Sequence, residues 1–359
     1  MLKLAKLFST SAKNTMPESV VGIDYGSSSV KVVEVEYRKD MLVLKTYGEL
    51  QIGPYGNSQL GNVVTLDERK KTEALTDLMK EAGVAAKTGV LALPLSSSFV
   101  TIMSLTAKPD EDIEPRVHVE ARKYIPIPLT DVTLDWTELK PLGSAPKTVR
   151  EILIVAVQND AYGQMTNIMQ AAQKFSQPSE IELFSAMRAL EDTQVVSTAV
   201  LELGGGTSKM YITHEGMLRK IHRVRLGGVQ ATARIAELTG VSFEEAENLK
   251  RNFKHGGEHE DDVKRAVVST FERPLQEFKR VLAQHEAKVG SSVGRIVLTG
   301  GTAAFAEMQP FASYMFDRTV EIANPFAKVA YPAFMEERLR DIAPTFSVAI
   351  GAALRPFDV

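Results

Sequence analysis

The chain has 359 residues, 44% of them apolar, a net charge of −3 and no cysteine. That length suggests two domains of ordinary globular composition. Disulfides, thiol nucleophiles and Cys-ligated metal centres are excluded, and the charge balance lacks the basic footprint that nucleic-acid binding leaves.

In chain order, the opening MLKLAKLFSTSAKN sets Leu4, Leu7 and Phe8 at helical spacing among Lys3, Lys6 and Lys13. It reads either as a weak interfacial helix drawn to anionic lipid or, preferably, as a flexible tail, 1–19, before the fold begins at Val20. Strand patterns follow at 20–25, 30–37, 41–50, 89–94, 98–106, 132–140, 151–157, 197–203, 207–213, 217–225 and 294–299. Their mark is period-two alternation, as in Val33, Val35 and Tyr37 against Glu34 and Glu36. Helical patterns fall at 68–82, 110–124, 160–174, 182–190, 228–239, 242–253, 261–288, 304–315 and 346–354. In the second of these, Ile113, Val117, Ala121 and Tyr124 share a face, and IPIP then ends it. Strands interleaved with helices predict an α/β class. No apolar run approaches the about 18 residues a membrane span needs.

Two turns share one grammar. The first is a strand, Asp24-x-Gly26, Ser27, Ser28, Ser29 and a second strand carrying Lys31. The other is a strand, Glu202-x-Gly204, Gly205, Gly206, Thr207 and a second strand. Glycines let backbone amides approach an anion, consecutive amides form a nest, and hydroxyls add donors. A strand-end carboxylate can hold Mg²⁺ through water, and a lysine supplies a point charge for a phosphate. Such a pair predicts two similar domains, each offering one turn to a shared cleft.

DYGSSSVK, Asp24 to Lys31, resembles the first phosphate loop of the actin-like ATPases, and ELGGGT, Glu202 to Thr207, resembles the second. RIVLTGGTAAF is similar to the adenosine motif, with Gly300 and Gly301 beneath the nucleotide. AENLKR resembles the helix that clasps the adenosine, the matching positions being Glu247, Lys250 and Arg251. Three further stretches resemble the PilM branch of type IV pilus assembly, which is related to FtsA: ARKYIPIPLTDVTLDW, PSEIELFSAMRAL and FSVAIGAALRPF.

The resemblance implies an actin-like (ribonuclease H-like) α/β fold of two domains around a nucleotide cleft. Domain 1 would span 20–195, with an inserted subdomain at about 85–160. Domain 2 would span 196–345, with a small helical insertion at about 241–289, and a closing helix, 346–359, would return to domain 1. It implies ATP and Mg²⁺ as ligands, with Asp24 and Glu202 holding the metal through water. It further implies a monomeric adaptor at the inner face of the inner membrane, which captures a short N-terminal cytoplasmic peptide of a PilN-like membrane protein. Pilus motor ATPases are further candidate partners.

Two departures bear on hydrolysis. Glu202 stands where the superfamily usually has Asp, and catalysis is sensitive to displacements of about 1 Å. Ser185 falls near the position of the water-orienting residue, and serine is a poor base. Slow or absent hydrolysis is therefore expected, with Glu202 and Asp24 as the only catalytic candidates. The all-helical look of 241–289 also departs from members with a full fourth subdomain.

Other stretches stay open. HGGEHEDD, His255 to Asp262, has metal-ligand residue types but reads better as a solvated loop. His118 and His222 read as packed or surface residues. RLGGVQAT is either an anion site or a tight strand-to-helix connection. Tyr124, Ile127 and Trp136 are either a peptide groove or the core of a small subdomain. Besides the pilus adaptor, an FtsA-like polymerising membrane scaffold and a small-molecule kinase are the alternative functions; for a kinase the only acids near the interdomain helix are Glu180 and Glu182.

Overall fold

The computed structural model describes residues 17–357 except 109, 143–147, 177–179 and 193. The reading of Leu4, Leu7 and Phe8 lies outside the described residues. The first half of the chain runs β1 (Ser19–Tyr25), β2 (Ser29–Arg38), β3 (Met41–Gln51), α1 (Glu68–Glu81), β4 (Thr88–Leu93), β5 (Ser98–Thr106), α2 (Glu114–Ala121), β6 (Val132–Leu139), β7 (Val149–Gln158), α3 (Asn159–Ala171), β8 (Phe175–Ser176), β9 (Glu180–Ile181) and α4 (Glu182–Leu190). The second runs β10 (Ser197–Leu203), β11 (Ser208–His214), β12 (Met217–Val224), α5 (Gly228–Thr239), α6 (Phe243–Arg251), α7 (Glu260–Val289), β13 (Arg295–Thr299), α8 (Met308–Phe316), β14 (Glu321–Ile322), α9 (Glu336–Ile342) and α10 (Ser347–Leu354).

Val20, Val21 and Ile23 are fully buried, so β1 has no solvent face and must lie inside a sheet. It pairs antiparallel with β2 and parallel with β4, in the order β3-β2-β1-β4-β8. The second sheet repeats this plan. There β10 pairs antiparallel with β11 and parallel with β13, in the order β12-β11-β10-β13-β14. Between β4 and β8 in the chain, a third sheet forms, β5-β7-β6. Its central strand is buried on both faces. Ile152, Ile154 and Ala156 join a small cluster with Val117 and Ala121 of α2, while Leu153, Val155 and Val157 join the core of the first sheet.

The helices start and stop where local chemistry dictates. Asp67 caps α1 by accepting from Lys70 N, and Ser242 caps α6 by accepting from Glu245 N. Helix α7, 30 residues long, opens with Glu260, Asp261 and Asp262, which complement its positive end, and closes on Gly290. No strand lies between α6 and α7 among the described residues. Helix α2 is shorter than the pattern predicts. Pro115, in its first turn, has no amide to donate, and the acidic residues before it are used in turns: Asp112 accepts from Glu114 N, and Glu111 from Lys108 N.

Every residue of α10 is buried, and most are small. That lets it lie directly on backbone. A Cβ on Gly22 of β1 would stand 2.0 Å from Ala349 O, and one on Gly351 would stand 1.7 Å from Ser185 O in α4. Among the described residues, no helix is long and apolar enough to cross a membrane.

Candidate functional site

Both hairpins carry an acid at the next-to-last position of their first strand and set a lysine opposite it. Asp24 faces Lys31 across β1–β2, and Glu202 faces Lys209 across β10–β11. The turns are built alike. Gly26 N donates to Ser29 O and Gly204 N to Thr207 O, each at 3.0 Å. Their carbonyls are taken by the surrounding protein: Val64 N and Ile52 N donate to Ser27 O and Ser28 O, and Gly228 N and Val229 N donate to Gly204 O and Gly205 O. Among the described residues, no protein acceptor meets the amides of Gly205 and Gly206. This is the arrangement of an anion nest. RLGGVQAT is thus a strand-to-helix connection whose helical amides brace the second turn.

The turns face each other closely. A Cβ on Gly205 would lie 2.5 Å from Ser28 Oγ, and one on Gly206 would lie 3.1 Å from Val63 Cγ2. Around them is a cleft of about 1000 Å³. Asp24, Gly26, Ser27, Ser28, Ser29, Lys31, Gly204, Gly205, Thr207, Glu247, Lys250, Arg251, Gly300 and Gly301 all line it; of the nucleotide-binding residues expected from sequence, Gly206 alone does not.

Beside the first turn, Lys31 Nζ donates to Ser29 Oγ at 2.8 Å and lies 3.9 Å from Asp24 and 3.7 Å from Glu49. Burial pushes the Asp24 carboxyl up to about 6; Lys31 opposes this, and Glu182 and Glu202 add to it. Lys209 Nζ donates to Glu202 Oε1 at 2.6 Å and to Glu182 Oε1 at 2.7 Å. Burial works to lower the Lys209 ammonium, but Glu182 and Glu202 outweigh it and keep it protonated. Burial also raises Glu202 against the pull of Lys209. Its second oxygen, Oε2, is buried and has no partner among the described residues.

The opposite wall belongs to α6. Glu247 accepts from Thr232 Oγ1 at 2.5 Å, Lys250 Nζ at 2.6 Å and Arg251 Nε at 3.0 Å. Lys250 also donates to Gly228 O, and Arg251 reaches Glu49 at 3.6 Å. A line of charges therefore crosses the cleft mouth from Lys31 through Glu49 and Arg251 to Glu247. Gly300 holds φ at +93°, where a side chain would also strike Leu203 O at 2.5 Å, whereas Gly301 opens onto free space. Phe253 and Phe305, whose ring centroids are 4.6 Å apart, complete that side.

One expectation is corrected. Ser185 is fully buried, donates to Glu180 Oε1 at 2.7 Å and lies under α10, outside the cleft. Glu182 and Ala186, one helical turn apart, are the residues α4 presents to the cleft. Lys209 is missed by the sequence reading, although the signal is present: Lys31 follows Asp24 by seven positions, and Lys209 follows Glu202 by the same seven.

The remaining candidates lie elsewhere. His255 pairs with Glu260 and Glu307 in the solvated loop before α7, and His222 with Glu277. His118 is half-buried on α2. Ile127 and Trp136 pack half-buried on the third sheet's cluster, and Tyr124 is exposed. The cleft thus offers free amides, hydroxyls and an ammonium for a polyphosphate, beside two carboxylates for a hydrated cation.

Residues 22–357 match the family model described as type IV pilus assembly protein PilM. The chain belongs to the PilM family. The PilM-PilN type IV pilus biogenesis complex has the same fold, with a TM-score of 0.78 at 22% identity, over 95% of this chain and 99% of that one. The ethanolamine utilization protein EutJ from Carboxydothermus hydrogenoformans superposes with a TM-score of 0.57 at 16% identity, over 98% and 95%. MreB5 of Spiroplasma citri bound to AMPPNP superposes with a TM-score of 0.50 at 11% identity, over 95% of each chain. Together these give this PilM-family chain the actin-like α/β fold. In sequence it is 30% identical over 199 residues to the cell division protein FtsA of Rhizobium meliloti, 48% of this chain and 43% of the relative. It therefore spans less than half of that relative's length. FtsA of Bacillus subtilis is 22% identical over 363 residues, 89% of this chain and 81% of the relative.

Proposed function

We propose that this PilM-family protein is an ATP-binding adaptor of a type IV pilus or related secretion or competence machine, working at the cytoplasmic face of the inner membrane. It captures a short N-terminal peptide of a PilN-like membrane protein and hydrolyses ATP slowly or not at all. The observation that carries the nucleotide reading is the facing pair of turns, each with an acid–lysine pair at the same strand register. Amides and hydroxyls of both turns would hold the phosphates, with Lys31 as a point charge.

The site fits Mg²⁺ held through water. Asp24 and the unpartnered Oε2 of Glu202 are the groups that would receive its waters, and the ion would screen phosphate charge. The slow-hydrolysis reading is supported by the lysine ammonium between Glu182 and Glu202, which pairs with one oxygen of each and makes both weaker bases toward water. The PilN reading rests on the resemblance to the PilM-PilN complex, and the third sheet with Ile127 and Trp136 is the proposed peptide seat. The domain division proposed is 20–195 and 196–345, with 346–359 returning to the first.

Isothermal titration with ATP and Mg²⁺, followed by phosphate release on the same samples, tests the nucleotide reading. Wild-type protein binds, Asp24→Ala and Lys31→Ala do not, and phosphate release stays near background. Fast turnover overturns the adaptor in favour of a motor or kinase, and absence of binding overturns the cleft assignment. The FtsA relatives favour a second reading, a polymerising scaffold on membranes. Sedimentation of the protein with ATP and anionic vesicles separates it: filaments support the scaffold, a monomer the adaptor.

A further inference from the structure

We propose that Lys209 is a resident counter-cation of the cleft, which makes nucleotide binding only weakly dependent on Mg²⁺. This rests on the cleft being a nucleotide site. Three carboxylates face its floor: Asp24, Glu182 and Glu202. Bare, they would repel a polyphosphate, and a divalent cation would be needed to bring the two together. Lys209 stands among them as a built-in positive charge. It lines the cleft, is 6% exposed, and bonds Glu202 at 2.6 Å and Glu182 at 2.7 Å.

The two halves use the same strand position differently. In the first hairpin, Lys31 turns to Ser29 and Glu49 beside the phosphate turn. In the second, Lys209 turns to the floor and ties β11 to α4 through Glu182. The same Oε1 of Glu182 also accepts from Leu95 N at 2.9 Å, a second bond that holds the carboxylate in place. Both the carboxylates bridged by Lys209 are thus positioned by it, and one oxygen of Glu202, with Asp24, is left over for a hydrated ion. Mg²⁺ arrives with its share of the charge balance already supplied.

The test is ATP affinity measured with excess Mg²⁺ and again in excess EDTA, for wild type, Lys209→Met and Lys209→Gln. Both variants leave the floor one charge more negative, and the Gln amide can still donate to Glu182 or Glu202, so that a folded protein, verified by thermal melting, is compared. For wild type the two affinities agree within about threefold. For Lys209→Gln, binding in EDTA is weaker than in Mg²⁺ by roughly tenfold or more. A purely structural lysine would change stability without changing this ratio. A wild-type ratio of roughly tenfold, or a Lys209→Gln ratio equal to that of wild type, overturns the proposal while leaving the cleft reading intact. Wild type that binds no ATP in either buffer overturns both.

Discussion

At the scale of single residues, the cleft carries charges the fold would be more stable without. The Asp24 carboxyl is raised from 3.8 to about 6, so it binds a proton more tightly folded than unfolded. Its contribution is most favourable below pH 4 and is lost as pH rises through about 6, at a cost of up to ~3 kcal/mol. Asp24→Asn therefore stabilises the protein at pH 7.5, loses that advantage near pH 4, and binds nucleotide poorly; denaturant melts at both pH values check this, with Glu49 still beside Lys31. Gly205→Ala also weakens binding, but with no gain in stability. Its methyl would press on Ser28 Oγ, so ATP affinity falls by roughly tenfold while stability, read from the same melts, changes by less than ~1 kcal/mol. The acids, glycines and hydroxyls of both turns are legible in the sequence because they are contiguous. What a side chain faces is not. Ser185 and Glu182 are three residues apart on one helix, and only the packing of α10 decides which of them the cleft sees.

At the scale of elements, the period-two strands and the apolar-faced helices emerge close to their predicted bounds, because each has a buried face dictated by its own sequence. The two-residue strands β8, β9 and β14 carry no such pattern and exist only because a neighbouring strand has a free edge to pair with. Helix α9 is equally silent, with Leu339 its one buried residue. Helix α10 makes the sharpest prediction. Gly351→Ala drives a methyl into the α4 backbone and costs ~3 kcal/mol or more in denaturant melts. Gly163→Ala, in the middle of α3 with open space where the Cβ would lie, stabilises by ~0.5–1 kcal/mol. Similar losses for both would mean that α10 does not cross α4 as described.

At the scale of the whole molecule, the two sheets of one plan explain why the turns face each other: each half presents the same β-hairpin to a common cleft. The halves meet where Lys209 of β11 bonds Glu182 of α4 on the cleft floor and at the Glu49–Arg251 pair across its mouth. Arg251 is half exposed, so Arg251→Ala weakens ATP binding by no more than about fivefold, and added salt diminishes the difference. The duplication was legible from two quoted turns, while the charge line between the halves required the folded chain. The measurement that bears most directly on an ATP-held adaptor is titration of a labelled synthetic peptide, the N-terminal cytoplasmic segment of the PilN-like protein from the same genome, with ATP present. The account predicts saturable one-to-one binding that Trp136→Ala weakens and that leaves the protein monomeric. A peptide that does not bind, or that binds wild type and Trp136→Ala alike, would contradict it.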